Sequence, residues 1–428
     1  MTLLDYAYNL FKGVKQKEYS FTQLMNKKIQ EMSLSSLEIN TIKACLKGVL
    51  NRYYYLKFEI KNGYGSLNEE LYDYTILGLS FVRYVDKVTV KDVMEFIKES
   101  SNENLKELDL SKLEEVYVSL EKNVTPIPEK YESNFSKKVS IYYSYPEWLV
   151  GMMKKHFGGK NAFKSIASSR RNNPINVCIN PNSDLEELNG SDFNKIEITS
   201  SGYEYISKKP LIENELFTSK KIYVMDAMET LLVDILNPFQ GEEALVIGDN
   251  KSMLVTTLAL RMYNLGIVYY ACKTQDSYFH ARKTFDSYKV KNVIPFEGDI
   301  SLVCTHCEEN SLDKVLVVPP NSEFGLIRRK PEIVINFNQS ELDSLIACQK
   351  EYIKEASKFV KEGGTLVYAV PTLNIKESYN IVRLFLEENK EFELEKEELI
   401  FPYIYQTTGM YYAKIIRKTN DVEESIEW

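Results

Sequence analysis

From the N-terminus, apolar residues recur at helical spacing, first Leu3, Leu4, Ala7, Leu10 and Phe11, then Ile42, Leu46, Val49 and Leu50. A 3.6-residue period puts each set on one face, which predicts amphipathic helices sharing a core. Ser35 or Ser36 is placed to cap the second helix, with Glu38 in its first turn. Further helices are expected over 71–85 and 90–97, the latter entered through Thr89. Residues 1–130 therefore read as all-helical. A polar stretch, 121–138, contains Pro126 and Pro128 and reads as a linker. From Phe217 onward, short apolar runs alternate with helical segments, the mark of an α/β sheet. Strands are expected at 244–247, 267–271, 293–296, 315–318 and 365–370, with a closing pair near 392–399 and 411–416. The acidic end, Asp421 to Trp428, is expected to fray.

Composition narrows the class. A chain of 428 residues has room for two or three domains with ample cores. No uninterrupted apolar run approaches the ~20 residues that span a bilayer. The first residues lack a basic region and a small-residue cleavage site. A cytoplasmic protein without a membrane partner is expected, and six cysteines without framework spacing fit a reducing compartment. A net charge of -8 weighs against strong general nucleic-acid binding, DNA included, because phosphate contacts need clustered cations. Arg170-Arg171 and Arg328-Arg329-Lys330 are the local exceptions.

Other chemistry is sparse. Cys304-Thr-His-Cys307, with His306 inside it, offers too few ligands for a structural zinc, so no metal is expected. Cys348 reads as a small buried hydrophobe. The clusters Tyr53-Tyr54-Tyr55 and Tyr142-Tyr143 could stack on bases. Consecutive aromatics on a helix point different ways, however, and core use is expected.

The segment VLVVPPNSEFGLIRRKP, Val315 to Pro331, resembles the active-site strand and loop of the RNA cytosine-C5 methyltransferases of the Sun/NOL/NOP family. There the pattern runs apolar strand, Asp-x-Pro-Cys-Ser, a glycine-containing loop, then Arg-Arg-x-Pro-Asp. Here Val318 stands for the aspartate and Asn321 for the cysteine, while Pro320, Ser322, Gly325, Arg328, Arg329 and Pro331 match. A second family segment follows a Gly-Gly turn with Leu-Val-Tyr-Ser-Thr-Cys-Thr and a Glu-Asn pair. This chain has Gly363-Gly364, then Leu366-Val-Tyr-Ala-Val-Pro371-Thr372 and Glu377-Ser378, so Pro371 takes the nucleophile's position. Methylation at C5 of cytosine needs a thiolate to attack C6, and neither asparagine nor proline can form that adduct.

The same family's ordered signals run along the chain. Ser144-x-Pro146-x-Trp148-Leu149 is similar to its Ser-x-Pro-x-Trp-Leu segment, and 174–180 to a strand reading Arg-Val-Asn, with Cys178 for the arginine and Asn180 kept. The segment 223–229 keeps only Asp226 of Gln-Asp-x-Ser-Ser, and 237–242 matches the turn before the first central strand. Thr408-Gly-Met-Tyr-Tyr-Ala-Lys414 resembles Asp-Gly-Phe-Phe-x-Ala-Lys. The resemblance, closest to the bacterial 16S rRNA methyltransferases, implies three domains. These are a NusB-like helical bundle at 1–130, a small α/β module at 141–215, and a Rossmann-like methyltransferase doubly wound sheet at 216–418.

It also implies an S-adenosylmethionine pocket, but a degenerate one. The family turn Asp-x-Cys-Ala-Ala-Pro-Gly-Gly-Lys-Thr corresponds to 244–253, where Val246 replaces the aspartate and Gly248-Asp249 form a turn of another shape. Lys273 stands where an acid bonds the ribose hydroxyls, and lysine has no acceptor to offer. Asp299 remains at the adenine side. The expected protein is a monomeric pseudo-methyltransferase that binds 16S rRNA or a ribosomal particle through Arg328, Arg329, Lys330, Arg170 and Arg171. Two alternatives stay open, an active methyltransferase with non-covalent chemistry and a protein-interaction scaffold without an RNA role.

Overall fold

The computed structural model describes residues 1–419, and the acidic Asp421–Trp428 lies outside them. Among the described residues two compact units form, Met1–Arg171 together with Ile327–Phe337, and Asn172–Leu326 together with 338–419. Among the described residues no helix is long and apolar enough to cross a membrane.

The first unit is helical: α1 (Leu3–Lys15), α2 (Phe21–Asn26), α3 (Ser36–Gly63), α4 (Glu69–Tyr84), α5 (Val90–Lys98), α6 (Leu110–Lys122), α7 (Phe135–Tyr143) and α8 (Glu147–Ser168). Thr2, Ser20, Ser35 and Thr89 close capping boxes with Asp5, Gln23, Glu38 and Asp92, each satisfying two backbone donors that a helix start leaves open. Leu4, Phe11, Leu46, Leu50, Leu77, Phe81 and Tyr117 lie in one apolar core. Two buried polar clusters cross it. Lys15 meets Asp73 at 2.7 Å, with the Tyr53 hydroxyl donating to the same carboxylate at 2.9 Å. Arg83 pairs with Glu59, which is fully buried. The sequence suggests a helix ending near Phe157, but α8 continues to Ser168, interrupted only at Gly158 (φ 78), a backbone state that glycine adopts without a Cβ clash.

Residues Ile327–Phe337, which begin inside the segment that resembles the methyltransferase loop, are built into this helical unit. Here α9 (Ile333–Asn336) buries Ile333 and Val334, and Ile335 packs on the helical core. Tyr54 donates to the Val334 carbonyl at 3.0 Å, Asn336 to the Val14 carbonyl at 3.1 Å, and the Phe21 amide to Glu332 at 3.1 Å.

In the second unit the strands form two sheets. The smaller, ordered β2-β3-β1-β4, is antiparallel, with β1 (Ile175–Ile179), β2 (Phe193–Lys195), β3 (Gly202–Tyr205) and β4 (Ile222–Val224). The larger contains β5 (Glu243–Ile247), β6 (Ile267–Cys272), β7 (Val293–Glu297), β8 (Leu312–Val317), β9 (Val360–Val370), β10 (Phe392–Ile400) and β11 (Met410–Arg417). Its order is β10-β11-β9-β8-β5-β6-β7, with β5 to β9 parallel and β11 antiparallel to both its neighbours. Parallel strands buried on both faces read as near-continuous apolar runs, as Val315–Val318 does. Helices α10 (Ala227–Leu236), α11 (Ser252–Arg261), α12 (Gln275–Tyr288), α13 (Glu341–Ser357) and α14 (Tyr379–Glu388) accompany it. A helical region followed by a Rossmann-like doubly wound sheet is thus the architecture, as the sequence suggests.

Candidate active site

In a doubly wound sheet, ligands bind beyond the carboxyl ends of the strands where the strand order reverses. Here β5 lies between β6 and β8, so the reversal falls between β5 and β8. The Val318 amide extends that pairing, donating to the Ile247 carbonyl at 2.8 Å. Its side chain is 9% exposed and closes on the turn after β5, where a Cβ on Gly248 would stand 3.1 Å from Val318 Cβ.

The two positions aligned with the family cysteines are both taken up by local structure. Asn321 donates to the Pro319 carbonyl at 3.0 Å and accepts the Glu323 amide at 2.9 Å, closing its own turn. The carbonyl of Pro371 accepts the Gly325 amide at 2.9 Å, and the Gly409 amide donates to the Gly325 carbonyl at 2.9 Å. Three backbone segments meet at Gly325: a Cβ there would lie 2.0 Å from the Gly409 oxygen. Gly325→Ala should therefore cost about 2–3 kcal/mol through overpacking, read as a lower urea midpoint with unchanged slope.

Beneath these loops sits a polar cluster centred on Glu377, the acid of the Glu377-Ser378 pair. Glu377 is fully buried. Its Oε1 accepts from the Ser322 amide (2.8 Å) and Gln349 Nε2 (3.1 Å). Its Oε2 accepts from Ser322 Oγ (2.6 Å), Thr372 Oγ1 (2.9 Å) and Asn374 Nδ2 (2.9 Å). Gln349 Nε2 also donates to the Pro320 carbonyl, and Tyr368 donates to the Glu377 carbonyl at 2.8 Å. One carboxyl group thus ties the loop after β8 to the loop after β9 and to α13. A sequence hint existed: an acid five residues past Thr372, with three amide or hydroxyl residues close by in the chain.

The cofactor candidates lie at the carboxyl edge of three neighbouring strands: Gly248 and Asp249 after β5, Lys273 after β6, and Asp299 shortly after β7. Asp299 caps the turn that follows it, accepting from the Ser301 amide and from Ser301 Oγ (2.6 Å). These bonds, with a smaller contribution from the Lys273 charge, hold its carboxyl below the usual range. Asp249 Oδ2 accepts from Asn250, whereas its buried Oδ1 accepts no hydrogen bond. Beside this edge, Lys251 binds Glu229 at 2.7 Å. Burial works against the charge on this lysine. Glu229, then Asp226 and Glu323, outweigh that and raise its pKa. Asp226 itself caps α10 and accepts from Thr408 Oγ1 at 3.1 Å, joining two more of the segments that resemble the family. For S-adenosylmethionine the set fits poorly. The ribose hydroxyls want an acceptor where an exposed lysine stands, one oxygen of Asp299 is taken by Ser301, and Asp249 Oδ1 accepts nothing.

The basic candidates are dispersed in role. Arg170 donates to the Tyr143 and Ser144 carbonyls at 2.7 Å each and stacks 5.0 Å from the Tyr145 ring centroid. Burial depresses its pKa, and its place is that of a C-terminal cap on α7. Arg171 is exposed; Arg328, Arg329 and Lys330 are half-buried on the segment built into the helical unit. Cys304 is exposed while Cys307 is buried, its thiol pushed up to about 12 by desolvation with help from Glu243. Among the described residues no group of three or more His, Cys, Asp or Glu side chains is placed to hold a metal. Tyr53 joins the core as expected, but Tyr142 is 59% exposed.

The chain is similar to several known proteins. A model described as 16S rRNA methyltransferase RsmB/F matches residues 256–423, beginning just past the altered turn after β5. The probable ribosomal RNA small subunit methyltransferase B of Bacillus subtilis (strain 168) is 24% identical over 296 residues, 63% of each chain. Its counterpart from Yersinia pseudotuberculosis serotype O:1b (strain IP 31758) is 25% identical over 299 residues, 65% of this chain and 67% of its own. The match thus spans a little under two thirds of the Bacillus relative. Among solved structures, the crystal structure of PH0851 superposes at TM-score 0.73 with 17% identity, covering 96% of this chain and 98% of its own. A methyltransferase homolog protein from Pyrococcus horikoshii superposes at 0.58 with 18% identity, covering 67% and 100%. At such identities the structures speak for the fold. The sequence matches show a similarity to the RsmB/F-type 16S rRNA methyltransferases over 256–423 and over about two thirds of the chain.

Proposed function

We propose that this chain is a binding protein derived from an rRNA cytosine-C5 methyltransferase, recognising 16S rRNA or a ribosomal particle without methylating it. The observation that carries the reading is the pair Asn321 and Pro371. At the two cysteine positions stand an amide folded into its own turn and a ring without a nucleophile. No thiolate is available there to attack C6. The lysine at the ribose position, Lys273, supports the same reading, as does the aspartate position filled by Val318. The helical unit, read as NusB-like, and the loop of Arg328, Arg329 and Lys330 then serve RNA contact.

Two measurements together decide. Calorimetric titration with S-adenosylmethionine and S-adenosylhomocysteine is expected to give no binding tighter than about 1 mM, roughly 4 kcal/mol. Incubation of the protein with labelled S-adenosylmethionine and 16S rRNA or small subunits is expected to leave the RNA unlabelled. Micromolar binding with methyl incorporation would refute the proposal. It would favour methyl transfer to an exocyclic nitrogen or a ribose hydroxyl, which needs no covalent nucleophile. Asp249 Oδ1, a buried acceptor with nothing bound to it, is the observation on that side.

A further inference from the structure

Residues 135–171 contain eight Lys or Arg and a single acid, Glu147, a net +7 inside a chain whose net charge is -8. This most basic stretch carries an aromatic row on its surface. Tyr142 and Tyr143 meet edge-on with centroids 4.8 Å apart, and Tyr143 meets Phe163 of α8 edge-on at 5.6 Å. Tyr142 and Phe163, the ends of the row, are 59% and 43% exposed. The row is rigidly held. Arg52 donates to the Tyr142 carbonyl at 3.3 Å, while Arg170 takes the next two carbonyls, so two guanidinium groups satisfy the C-terminus of α7. Arg52 is exposed beside the first ring, and exposed Lys160, one turn before Phe163 on α8, flanks the last.

We infer that Tyr142, Tyr143 and Phe163, with Arg52 and Lys160, form a docking surface for an unpaired stretch of RNA. Bases stack on the two exposed rings, and the phosphates run past the flanking cations. The inference deepens the proposed RNA-binding function and rests on it. Fixed aromatic faces flanked by cations are what sequence-tolerant single-strand binding uses. A membrane surface would want a broad apolar face instead, and here the row is three rings long and lies in a stretch of net +7. Splayed bases are also what a duplex cannot supply, so loops and ends are the preferred RNA.

The test uses the full chain and a mixed-sequence single-stranded RNA of about 12 nucleotides, within the usual site size, carrying 2-aminopurine. Tyr142→Ala with Phe163→Ala removes only exposed rings. It is expected to weaken binding at least tenfold at every salt concentration, with unchanged salt slope and loss of the 2-aminopurine quench. Arg52→Gln with Lys160→Gln should lower the salt slope by about 1.4, or 0.7 per lost phosphate contact. A duplex of the same length should bind more weakly than the single strand. If the aromatic variant binds like the parent while Arg328→Gln/Arg329→Gln/Lys330→Gln does not, this surface is wrong and the RNA-binding function stands. If the parent chain binds no RNA even at low salt, both fall. Binding to phosphatidylserine vesicles that the aromatic variant loses, with RNA binding intact, would also overturn the inference and reassign the face to lipid.

Discussion

Glu377→Ala is expected to lower the stability of the sheet-containing unit by about 5 kcal/mol, since hydrogen bonds to a charged partner contribute roughly 1.5–3 kcal/mol each and orphaned buried donors carry their own penalty. Five donors converge on this fully buried side chain, from Ser322, Gln349, Thr372 and Asn374. Alanine offers none of them an acceptor, and the loops after β8 and β9 lose their common anchor. For a unit of this size the melting transition should fall by on the order of 10 °C. Glu377→Gln retains the shape and one acceptor oxygen, so it should lose only part of that. An alanine variant that melts within a degree or two of the parent would mean the cluster is replaced by water at little cost.

A loss of comparable size is expected in the other unit from Arg83→Ala. Arg83 donates to both oxygens of Glu59, the second at 3.0 Å, and to the Leu120 and Asn123 carbonyls at 2.7 and 2.6 Å. Glu59 also accepts from the Tyr55 hydroxyl and the Thr125 amide. Removing the arginine leaves a carboxylate with no exposed surface and no counter-charge, a change that costs about 3–5 kcal/mol. It also releases the extended chain that follows α6. The paired change Glu59→Leu with Arg83→Met removes both charges and should recover most of the loss, because a buried ion pair and a packed apolar pair are often close in stability. Calorimetry then gives a cross-check: Arg83→Ala should move the transition of the helical unit, and Glu377→Ala that of the other. Identical shifts of one shared transition from both variants would contradict this assignment.

Most of the elements were legible in the sequence, since amphipathic periodicity and capping residues are local signals. The Ser35–Glu38 box, the helix entered at Thr89 and each central strand fall within a few residues of expectation. What escaped was long-range. Nothing near Val334 in the sequence says that it will meet Tyr54, 280 positions away. Of the adjacent pair Arg170 and Arg171, one is consumed by carbonyls at the end of α7 and the other is exposed, a division that only the helix packing decides. The same holds for Tyr142, outward where its neighbour is half-buried. The substitutions at Val318, Asn321, Pro371 and Lys273 could be seen by eye. Glu377 could be seen too, but its five donors come from three separate segments.

The segment Ile327–Phe337 also sets a schedule for synthesis. The helical unit is missing Ile333, Val334 and the carbonyl that Tyr54 binds until those residues leave the ribosome. Between Arg171 and that moment the 155 residues from Asn172 to Leu326 must be translated. At about 5–20 residues per second the wait is on the order of ten seconds or more. During it, the helices that will hold this piece stand with an uncovered apolar face on the nascent chain. A fragment ending at Arg171 would keep that face uncovered permanently.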